Sequence, residues 1–442
     1  MRLRYALIAG TVVVLAFGVA ALAYAWRSEI APIPTPPASS FDPKLVEKGA
    51  ELALVGDCRT CHTAPGGRVY AGGLAMPTPF GTIYSTNITP DRETGIGAWS
   101  EEAFRRAMRE GVDREGRHLY PAFPYDHFTR TSDEDIKALY AFFMSREPVA
   151  AKAPANDLPF PISIRLVLAG WKLLFFREQQ LEPDPAKDAA WNRGRYLVEG
   201  LGHCGACHTP RNLMGAEETS RAFQGGEAEG WHAYGLGPAS QAPVPWTAAA
   251  LEQYLAEGFH PQHGVARGPM APVVKNLAGV PRQDAAAMAV YLASLGQPMA
   301  DGSAAPQDAA VATPSAPQSA GIQAATPSGD AQPGAQLYAA TCASCHDSGR
   351  PLPLGAVPLS LSTAVAGESP ENLVNLILAG IPAANGASAP IMPGFGAVMT
   401  DQQVSALARY LRSQLAQRRE WPDLDAAIGR ARAAQATLQA KQ

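Results

Sequence analysis

Three short motifs place two cysteines and a histidine in the same order along the chain. They read CRTCH from Cys58 to His62, CGACH from Cys204 to His208, and CASCH from Cys342 to His346. Together they use all six cysteines of the sequence. Two thiols at positions i and i+3 lie on one side of a helical turn, and the next residue adds an imidazole beside them. The chemistry must therefore need both thiols and the imidazole.

Disulfides and zinc are the first alternatives for these cysteines. Disulfides suit an exported chain, and CxxC is a common zinc-ligand spacing. Neither explains the histidine that follows each pair, and only six other histidines would be left to complete three zinc sites. Covalent haem explains every position, because two thiols can add to the haem vinyl groups while the histidine binds the iron.

The motifs therefore predict three covalently bound haem c groups. The predicted attachment residues are Cys58, Cys61, Cys204, Cys207, Cys342 and Cys345. The predicted proximal iron ligands are His62, His208 and His346.

The sequence around the motifs repeats three times. A helix-like segment with a glycine precedes each motif, and the glycines are Gly49, Gly194 and Gly334. Downstream come the apolar-periodic segments FRRAMREG, LEQYLAEG and LVNLILAG, and then an amphipathic helix with a tyrosine. Apolar spacing at i, i+3, i+4 and i+7 predicts core-facing helices. This order resembles the class I cytochrome c domain, in which a glycine in the first helix permits close crossing against the last.

Two methionines occupy the same register in the second and third repeats. Met270 follows Gly258, and Met392 follows Gly380, by twelve positions in each case. Both lie in proline-punctuated loops before the last helix. A methionine thioether is a common sixth ligand of cytochrome c iron. We therefore predict Met270 and Met392 as sixth ligands.

The first repeat differs at this position. Twelve positions after Gly111 stands Phe123, whose side chain cannot bind iron. His127 lies just beyond in the same loop, and His118 lies five positions before. We favour His127 as the sixth ligand of the first haem; His118 and an open site remain alternatives. Arg211, after the second motif, is a candidate partner for a haem propionate.

The N-terminus predicts membrane attachment and export. Arg2 and Arg4 precede an uncharged apolar run from Tyr5 to Trp26. Its length favours an uncleaved transmembrane anchor over a cleaved signal peptide. The arginines favour a cytoplasmic N-terminus, which places the haem domains in the periplasm at the inner membrane. The formal net charge of −4 makes nucleic acid an unsuitable partner.

These features predict an all-α chain of three tandem class I cytochrome c domains behind an N-terminal transmembrane helix. The three domains are predicted at 41–150, 187–298 and 334–417, after an anchor or signal segment at 1–28. A connector at 151–186 and a flexible Ala/Pro/Ser linker at 299–333 separate them. Residues 418–442 are predicted to form a helical tail that is solvated by default.

The connector contains an apolar stretch from Leu158 to Phe176. Arg165 and Lys172 would each cost about 2.5–3.5 kcal/mol at mid-bilayer, so this stretch is not predicted to span the membrane. We expect it to pack against a neighbouring domain or subunit. The alternative is that it lies along the membrane or near a quinone.

Across nearly its whole length the sequence resembles the triheme cytochrome c subunits of bacterial membrane-bound periplasmic dehydrogenases. The similar stretches include WNRGRYLVEGLGHCGACHTPRNLMGAE, EAEGWHAYGLGPAS and GPMAPVV. Quinoprotein alcohol dehydrogenases and flavin-dependent sugar dehydrogenases typically have YPAMPY in the first sixth-ligand loop, where this chain has YPAFPY. The loop is more similar to cytochrome subunits that accompany molybdopterin aldehyde, isoquinoline or nicotinate dehydrogenases.

The resemblance implies a non-catalytic electron-transfer subunit. It implies a molybdopterin large subunit and an iron–sulfur small subunit as partners, with ubiquinone or a terminal oxidase as acceptor. The main competitor is the cytochrome subunit of a quinoprotein or flavin-dependent dehydrogenase. A haem enzyme with an open-coordinate first haem is a second alternative.

Overall fold

A computed structural model describes residues 2–295, 332–350, 356–382 and 390–439. Most of the predicted linker, 299–333, lies outside these residues. The described chain is mostly helical. It contains three helical units, here called the first unit (43–144), the second unit (189–294) and the third unit (332–439, with the gaps given above).

The first unit follows a long apolar N-terminal helix. Its main helices begin at polar caps: Asp42, Ser100 and Ser132 each accept a hydrogen bond from a backbone N–H of the first turn. The elements up to its end are α1 (Arg2–Ala25), α2 (Pro43–Val55), α3 (Cys58–Cys61), β1 (Ala75–Thr78), β2 (Gly81–Tyr84), α4 (Glu101–Glu110), α5 (Tyr125–Phe128) and α6 (Asp133–Met144).

The connector contributes one helix, and the second unit follows the same plan as the first with an additional hairpin. After Tyr196 the first helix of this unit continues through a π-helical turn to Leu201. The elements are α7 (Val167–Phe175) in the connector, then α8 (Ala189–Tyr196), α9 (Gly205–His208), β3 (Gly226–Ala228), β4 (Trp231–Ala233), α10 (Ala248–Glu257), β5 (Phe259–His260), β6 (Gly264–Val265), α11 (Met270–Leu277) and α12 (Arg282–Ser294).

The third unit includes the predicted C-terminal tail. Its elements are α13 (Gln332–Thr341), α14 (Ala343–His346), α15 (Thr363–Ala366), α16 (Glu371–Ala379), α17 (Asp401–Tyr410) and α18 (Leu424–Gln439). The prediction of a solvated tail is wrong, because α18 packs against α16 and α17. Leu424, Ala427 and Ile428 are buried there, and Trp421 donates a hydrogen bond to the Gly367 carbonyl. Burial of this apolar stripe makes α18 part of the third unit.

A glycine lets the first helix of each unit cross closely over a later one, which is α6 in the first unit, α12 in the second and α17 in the third. An added Cβ would lie 2.0 Å from the Ala138 carbonyl oxygen at Gly49, and 1.9 Å from the Ala287 carbonyl oxygen at Gly194. At Gly334 the same atom would lie 2.3 Å from the Ala406 carbonyl oxygen. No side chain fits at such distances, so the close crossing requires glycine, as predicted.

The first and second units share one hydrophobic core, whereas the third has its own. Leu52 and Ile136 of the first unit belong to the same cluster as Leu197 and Met288 of the second. The third-unit cluster includes Val404 and the tail residue Leu424. Each core is formed by the apolar stripes of helices that cross at a glycine.

The prediction of an all-α fold missed three short antiparallel hairpins, β1–β2, β3–β4 and β5–β6. Each has strands of two to four residues. Their segments are too short for a period-two pattern, and glycine-containing turns set them instead; the turn between β3 and β4, for example, contains Gly230 at φ 77°.

The N-terminal helix is long and apolar enough to cross a membrane. Residues Leu7–Ala25 have a mean hydropathy of 2.3, and within that stretch Ala25 alone is buried against the rest of the protein. The last residue of the helix contacts the first unit, because the Ala25 carbonyl oxygen lies 2.8 Å from Nε2 of His118.

The connector packs against the first unit, which confirms the expected domain packing. Lys172 is buried and donates from Nζ to the carbonyl oxygens of Glu110 (2.6 Å) and Gly111 (2.7 Å). Burial lowers the pKa of Lys172 to about 7. Arg165 donates to the His118 carbonyl at 2.9 Å and lies over the Tyr120 ring. Both charged groups therefore face the protein.

Candidate haem sites

The three motif histidines share one hydrogen-bond arrangement. The Nδ1 of His62 lies 2.7 Å from the Thr86 carbonyl oxygen, and the Nδ1 of His208 lies 2.7 Å from that of Tyr234. The Nδ1 of His346 lies 3.0 Å from the Val357 carbonyl oxygen. A carbonyl only accepts, so Nδ1 carries the proton and Nε2 keeps its lone pair. This is the tautomer and orientation that a metal-binding histidine needs.

Burial also keeps these imidazoles neutral. Desolvation lowers the pKa of His62, His208 and His346, although the hydrogen bond to each carbonyl opposes the shift. A neutral imidazole is the form that binds a metal. Each motif therefore presents an iron-binding nitrogen beside its two thiols.

Two of the missed hairpins position the accepting carbonyls. Thr86 follows β2 by two residues, and Tyr234 follows β4 directly. In the sequence, the position of the accepting carbonyl is reflected only in the spacing between each motif and the next apolar segment. No local pattern marks the carbonyl itself, because every residue has one.

One cavity of about 750 Å³ joins the second and third sites. His208 and the predicted ligand Met270 line it from the second unit, and His346 and Met392 line it from the third. Its volume lies within the range of about 300–1,000 Å³ that is usual for ligand pockets. The structure thus brings each predicted methionine into the same cavity as its histidine.

The lining of this cavity fits a porphyrin. Leu255, Leu277 and Leu373 contribute apolar surface. Against it stand buried polar atoms without a hydrogen-bond partner, Nε of Arg267 and both ring nitrogens of His263. The apolar ring system of a haem would cover these leucines, and its two carboxylates would pair with the unpaired polar atoms.

Arg211, the candidate propionate partner, is held by backbone carbonyls of its own loop. It donates to the carbonyl oxygens of Gly215 (2.7 Å) and Ala206 (2.8 Å), so it ties the haem loop to the chain that follows. Arg267 was missed by sequence reasoning. It reaches across to the third unit, where it donates to the Gly380 carbonyl at 3.1 Å.

The prediction for His127 requires correction. Its Nδ1 lies 2.9 Å from the Glu199 carbonyl oxygen, and its Nε2 lies 2.8 Å from a Glu217 carboxylate oxygen. Both partners belong to the second unit and both accept hydrogen bonds. Neither ring nitrogen is therefore free to bind an iron of the first unit. The reason lies in the tertiary structure, because the loop that carries His127 packs against the second unit. The imidazole of His127 lies next to Gly205 in the haem motif of that unit.

The alternative histidine is also occupied, and the methionine slot is closed by aromatic packing. Both nitrogens of His118 are engaged, Nε2 with the Ala25 carbonyl and Nδ1 with Lys172 Nζ at 3.2 Å. The Phe123 ring packs edge-on against Phe128 with centroids 5.2 Å apart. Met108 of α4 is a core residue of the first unit.

The first and second sites approach each other through their haem loops. Asp57, which precedes Cys58, accepts a hydrogen bond from Asn276 of the second unit. Burial raises the pKa of Asp57 to about 6, although its hydrogen bonds with Thr60 and Asn276 oppose the shift. Asp57 also lines the cavity of the second and third sites. The first haem loop therefore reaches the cavity of the other two sites at Asp57.

A side chain of the third unit fixes that unit to the second. The side-chain oxygen of Asn372 accepts from the His232 backbone N–H at 2.9 Å, and its nitrogen donates to the His232 carbonyl at 2.8 Å. Asn375 adds a hydrogen bond to the Gly230 carbonyl at 2.9 Å. These contacts dock α16 on the β3–β4 hairpin.

Comparison with known proteins agrees with these sites. Residues 46–147 match the family model described as cytochrome c. Residues 329–411 match that of cytochrome C oxidase, cbb3-type, subunit III. The two matches identify c-type cytochrome domains in the first and third units, and such domains carry covalent haem c.

Relatives along nearly the whole chain are more specific. The chain is 46% identical over 405 residues to a nicotinate dehydrogenase subunit of Pseudomonas putida, and that match covers 91% of this chain but 33% of the relative. It is 40% identical to the gluconate 2-dehydrogenase cytochrome c subunit of Pantoea cypripedii, of which it covers 85%. It is 38% identical to the fructose dehydrogenase cytochrome subunit of Gluconobacter japonicus, of which it covers 80%.

The protein is thus a c-type cytochrome. More particularly, the chain belongs to the family of cytochrome c subunits of dehydrogenase complexes. As a member of that family it is an electron-transfer subunit. The chain spans about a third of the length of the nicotinate dehydrogenase subunit and at least four-fifths of the gluconate and fructose dehydrogenase subunits.

Proposed function

We propose that this chain carries three covalently bound haem c groups in three tandem cytochrome c domains and passes electrons from a dehydrogenase to the respiratory chain. The observation that carries the proposal is the shared Nδ1-to-carbonyl hydrogen bond of His62, His208 and His346. Such a bond orients Nε2 for iron at every motif. The domains correspond to 41–150, 187–298 and 334–417, the last extended by α18.

Each motif holds its haem through residues of the chain itself. The paired cysteines of each motif would anchor the porphyrin, and the following histidine would bind the iron. Met270 and Met392 would complete the second and third irons, because each lines the same cavity as its motif histidine. When bound, haem supplies a one-electron centre whose potential depends on the axial ligands. Arg267 would pair with a propionate.

The fold keeps the three sites in one assembly. The shared core fixes the first unit to the second, and the Asn372 contacts fix the third unit to the hairpin of the second. The second site therefore stands between the other two. Apolar side chains line the cavity between the second and third sites, so a haem that filled it would leave little solvent to reorganise when charge moves.

We also propose that α1 is an uncleaved anchor in the inner membrane, with the haem domains in the periplasm. The hydrogen bond from His118 to the Ala25 carbonyl supports this. Cleavage after Ala25 would remove the residue that this buried imidazole binds.

The proposed catalytic partners are a molybdopterin large subunit and an iron–sulfur small subunit. The similarity to the nicotinate dehydrogenase subunit supports this branch. Ubiquinone or a terminal oxidase would accept the electrons.

The test is made on the purified complex. The mass of this chain should exceed that of the mature polypeptide by three haem groups, and the complex should contain molybdenum and iron beyond the haem iron. Adding an aldehyde or an N-heteroaromatic substrate should reduce the haem bands. Haem bands that stay oxidised while substrate turns over would exclude the electron-transfer path. A bound quinone cofactor without molybdenum would favour the quinoprotein branch.

A second function is favoured by the first site. Because His127 and His118 are engaged elsewhere and Phe123 fills the ligand register, the first haem would lack a protein sixth ligand. An open iron binds small molecules and supports peroxidase-like chemistry. One high-spin haem in three that binds carbon monoxide would support this function. Low-spin spectra from all three haems would exclude it.

A further inference from the structure

The connector exposes an apolar surface that none of the described residues covers. Phe160 is 80% exposed, and Leu174 is 61% exposed. Ile164, Val167 and Leu173 are also exposed. We call these five residues the outer connector face. Scattered exposed apolar residues are common in soluble proteins, but a contiguous set marks an interaction surface.

The one charged residue of α7 lies on the side that faces the first unit. Between Leu166 and Phe176 the only charged residue is Lys172, and its ammonium group is buried against the carbonyl oxygens of Glu110 and Gly111. Leu168 and Ala169 are buried with it. The outward side of α7 therefore carries no charge. The charges that argued against a membrane span belong to side chains that in fact point inward.

The second unit extends this surface. Trp171 of α7 donates from its indole nitrogen to the Met214 carbonyl at 3.0 Å. That bond holds the loop of Leu213 and Met214 next to the connector, and Leu213 is 98% exposed. Leu213 and Met214 are therefore held beside the connector and enlarge its exposed apolar area.

The same surface is continuous with the N-terminal helix. Helix α1 contacts α7. A chain of hydrogen bonds pins the two together, from Lys172 Nζ to His118 Nδ1 and from His118 Nε2 to the Ala25 carbonyl. The last turn of the apolar helix and the outer connector face are therefore held in a fixed relation by buried groups.

We propose that the outer connector face, with Leu213 and Met214, lies in the interfacial layer of the bilayer that α1 crosses. The proposal rests on α1 being a membrane anchor. A nine-residue helix is only about 13 Å long, so α7 lies in the interface rather than across a hydrocarbon core of about 30 Å. Continuity with α1 favours lipid over a protein partner. Arg177, exposed at the end of α7, suits the level of the phospholipid headgroups.

Such a contact would orient the haem domains. A single helix leaves the domains free to tilt and rotate about the membrane, whereas a second contact limits both motions. The first and second units would then be held against the membrane surface. Electrons could leave the protein there without a change in the orientation of the units.

The test uses the full-length, haem-loaded chain in vesicles of phosphatidylcholine and phosphatidylglycerol. A fraction of the lipid carries a diazirine on an acyl chain near the headgroup. After illumination, mass spectrometry of peptides should find adducts in α1, in residues 158–176 and at Leu213 and Met214. The peptide with Ile391 and Val398 is the matched control, because both residues are apolar and exposed but belong to the third unit.

The outcomes separate the two proposals. Adducts in α1 with only control-level labelling of 158–176 would overturn the interfacial contact and leave the anchor intact. Adducts in 158–176 without any in α1 would overturn the anchor instead. Protection of 158–176 in the complex with the catalytic subunits would assign the face to a protein partner and also overturn the proposal. The variant L174Q should lose adducts at the connector, whereas V398Q should change nothing, with unchanged haem spectra in both.

Discussion

The Nε2 nitrogen of His127 lies 2.8 Å from a carboxylate oxygen of Glu217 and joins the first unit to the second. The Nδ1 nitrogen lies 2.9 Å from the Glu199 carbonyl oxygen. Because both partners only accept, His127 is held as a buried imidazolium. Burial pushes its pKa down, but the Glu217 carboxylate outweighs burial and raises it. Burial pushes the pKa of Glu217 up, and the bond to His127 outweighs that and lowers it.

This pair should make stability depend on pH. Its contribution is complete between the unfolded-state pKa values of about 4.3 for glutamate and about 6.5 for histidine. It is lost as pH falls through the lowered pKa of Glu217 and as pH rises through the raised pKa of His127. H127A should lower the free energy of unfolding by about 1–3 kcal/mol at pH 6, because buried Glu217 loses its hydrogen-bond donor and keeps only the longer ion pair with Arg211, at 3.7 Å. Urea unfolding at pH 6 and pH 9 measures this, and the loss should be smaller at pH 9.

The control for H127A is E218Q, which removes a solvent-exposed pair with Arg221. Exposed substitutions of this kind change stability by about 0.5 kcal/mol or less. H127A should also leave the spectrum of the first haem unchanged. A change from low to high spin at that haem would instead restore His127 as its ligand.

Phe123 should be replaceable by a ligand. F123M places a thioether in the register that Met270 and Met392 occupy, so the first haem should change from high spin to low spin and lose its ability to bind carbon monoxide. Optical and electron paramagnetic resonance spectra measure the change. F123L is the control, since it alters the packing against Phe128 without adding a ligand. Identical spectra for both variants would contradict the proposed register.

Substitution of the predicted ligands Met270 and Met392 should change haem reduction potentials, whereas substitution of other buried methionines should not. M392L should remove the thioether from the third iron and lower its reduction potential within the range of about 0.8 V that axial ligands control. M399L is the matched control, because Met399 is buried in the core of the same unit. A volume-conserving swap of this kind costs less than about 1.5 kcal/mol. Redox titration should show a shift for M392L alone.

The same comparison applies to the second unit. M270L should lower the potential of the second haem, whereas M288L should not, because Met288 also lines the cavity but lies on α12, outside the ligand register. Equal effects of both variants would indicate that packing, and not ligation, sets the potential.

The helix crossing can be tested at Gly194. G194A places a Cβ 1.9 Å from the Ala287 carbonyl oxygen, so α8 and α12 must move apart. Overpacking of this kind lowers stability by about 1–3 kcal/mol or more. G429A in α18 is the control, because nothing lies within 4 Å of the added atom. In a helix interior, alanine is favoured over glycine by about 1 kcal/mol, so G429A should raise the melting temperature and G194A should lower it.

Local signals account for the predictions that succeeded. The crossing glycines Gly49, Gly194 and Gly334 lie at similar distances before the motifs, and the apolar stripes of the flanking helices follow a helical period. The hairpins were missed because their strands are two to four residues long and depend on turn geometry. The tail was misjudged because its stripe of alanines gives a weak amphipathic signal, yet Leu424 and Ile428 fit a groove of the third unit.

The sequence by itself determined the chemistry of attachment. Cys, Cys and His in one turn form a site wherever that turn folds, so the motifs and the methionine register could be read without coordinates. Only the tertiary structure decided what His127, Lys172 and Arg211 do, because each meets partners that are distant in sequence or carry no side-chain signature. A backbone carbonyl looks the same at every position of a sequence. Folding alone selects the few that meet a histidine, a lysine or an arginine.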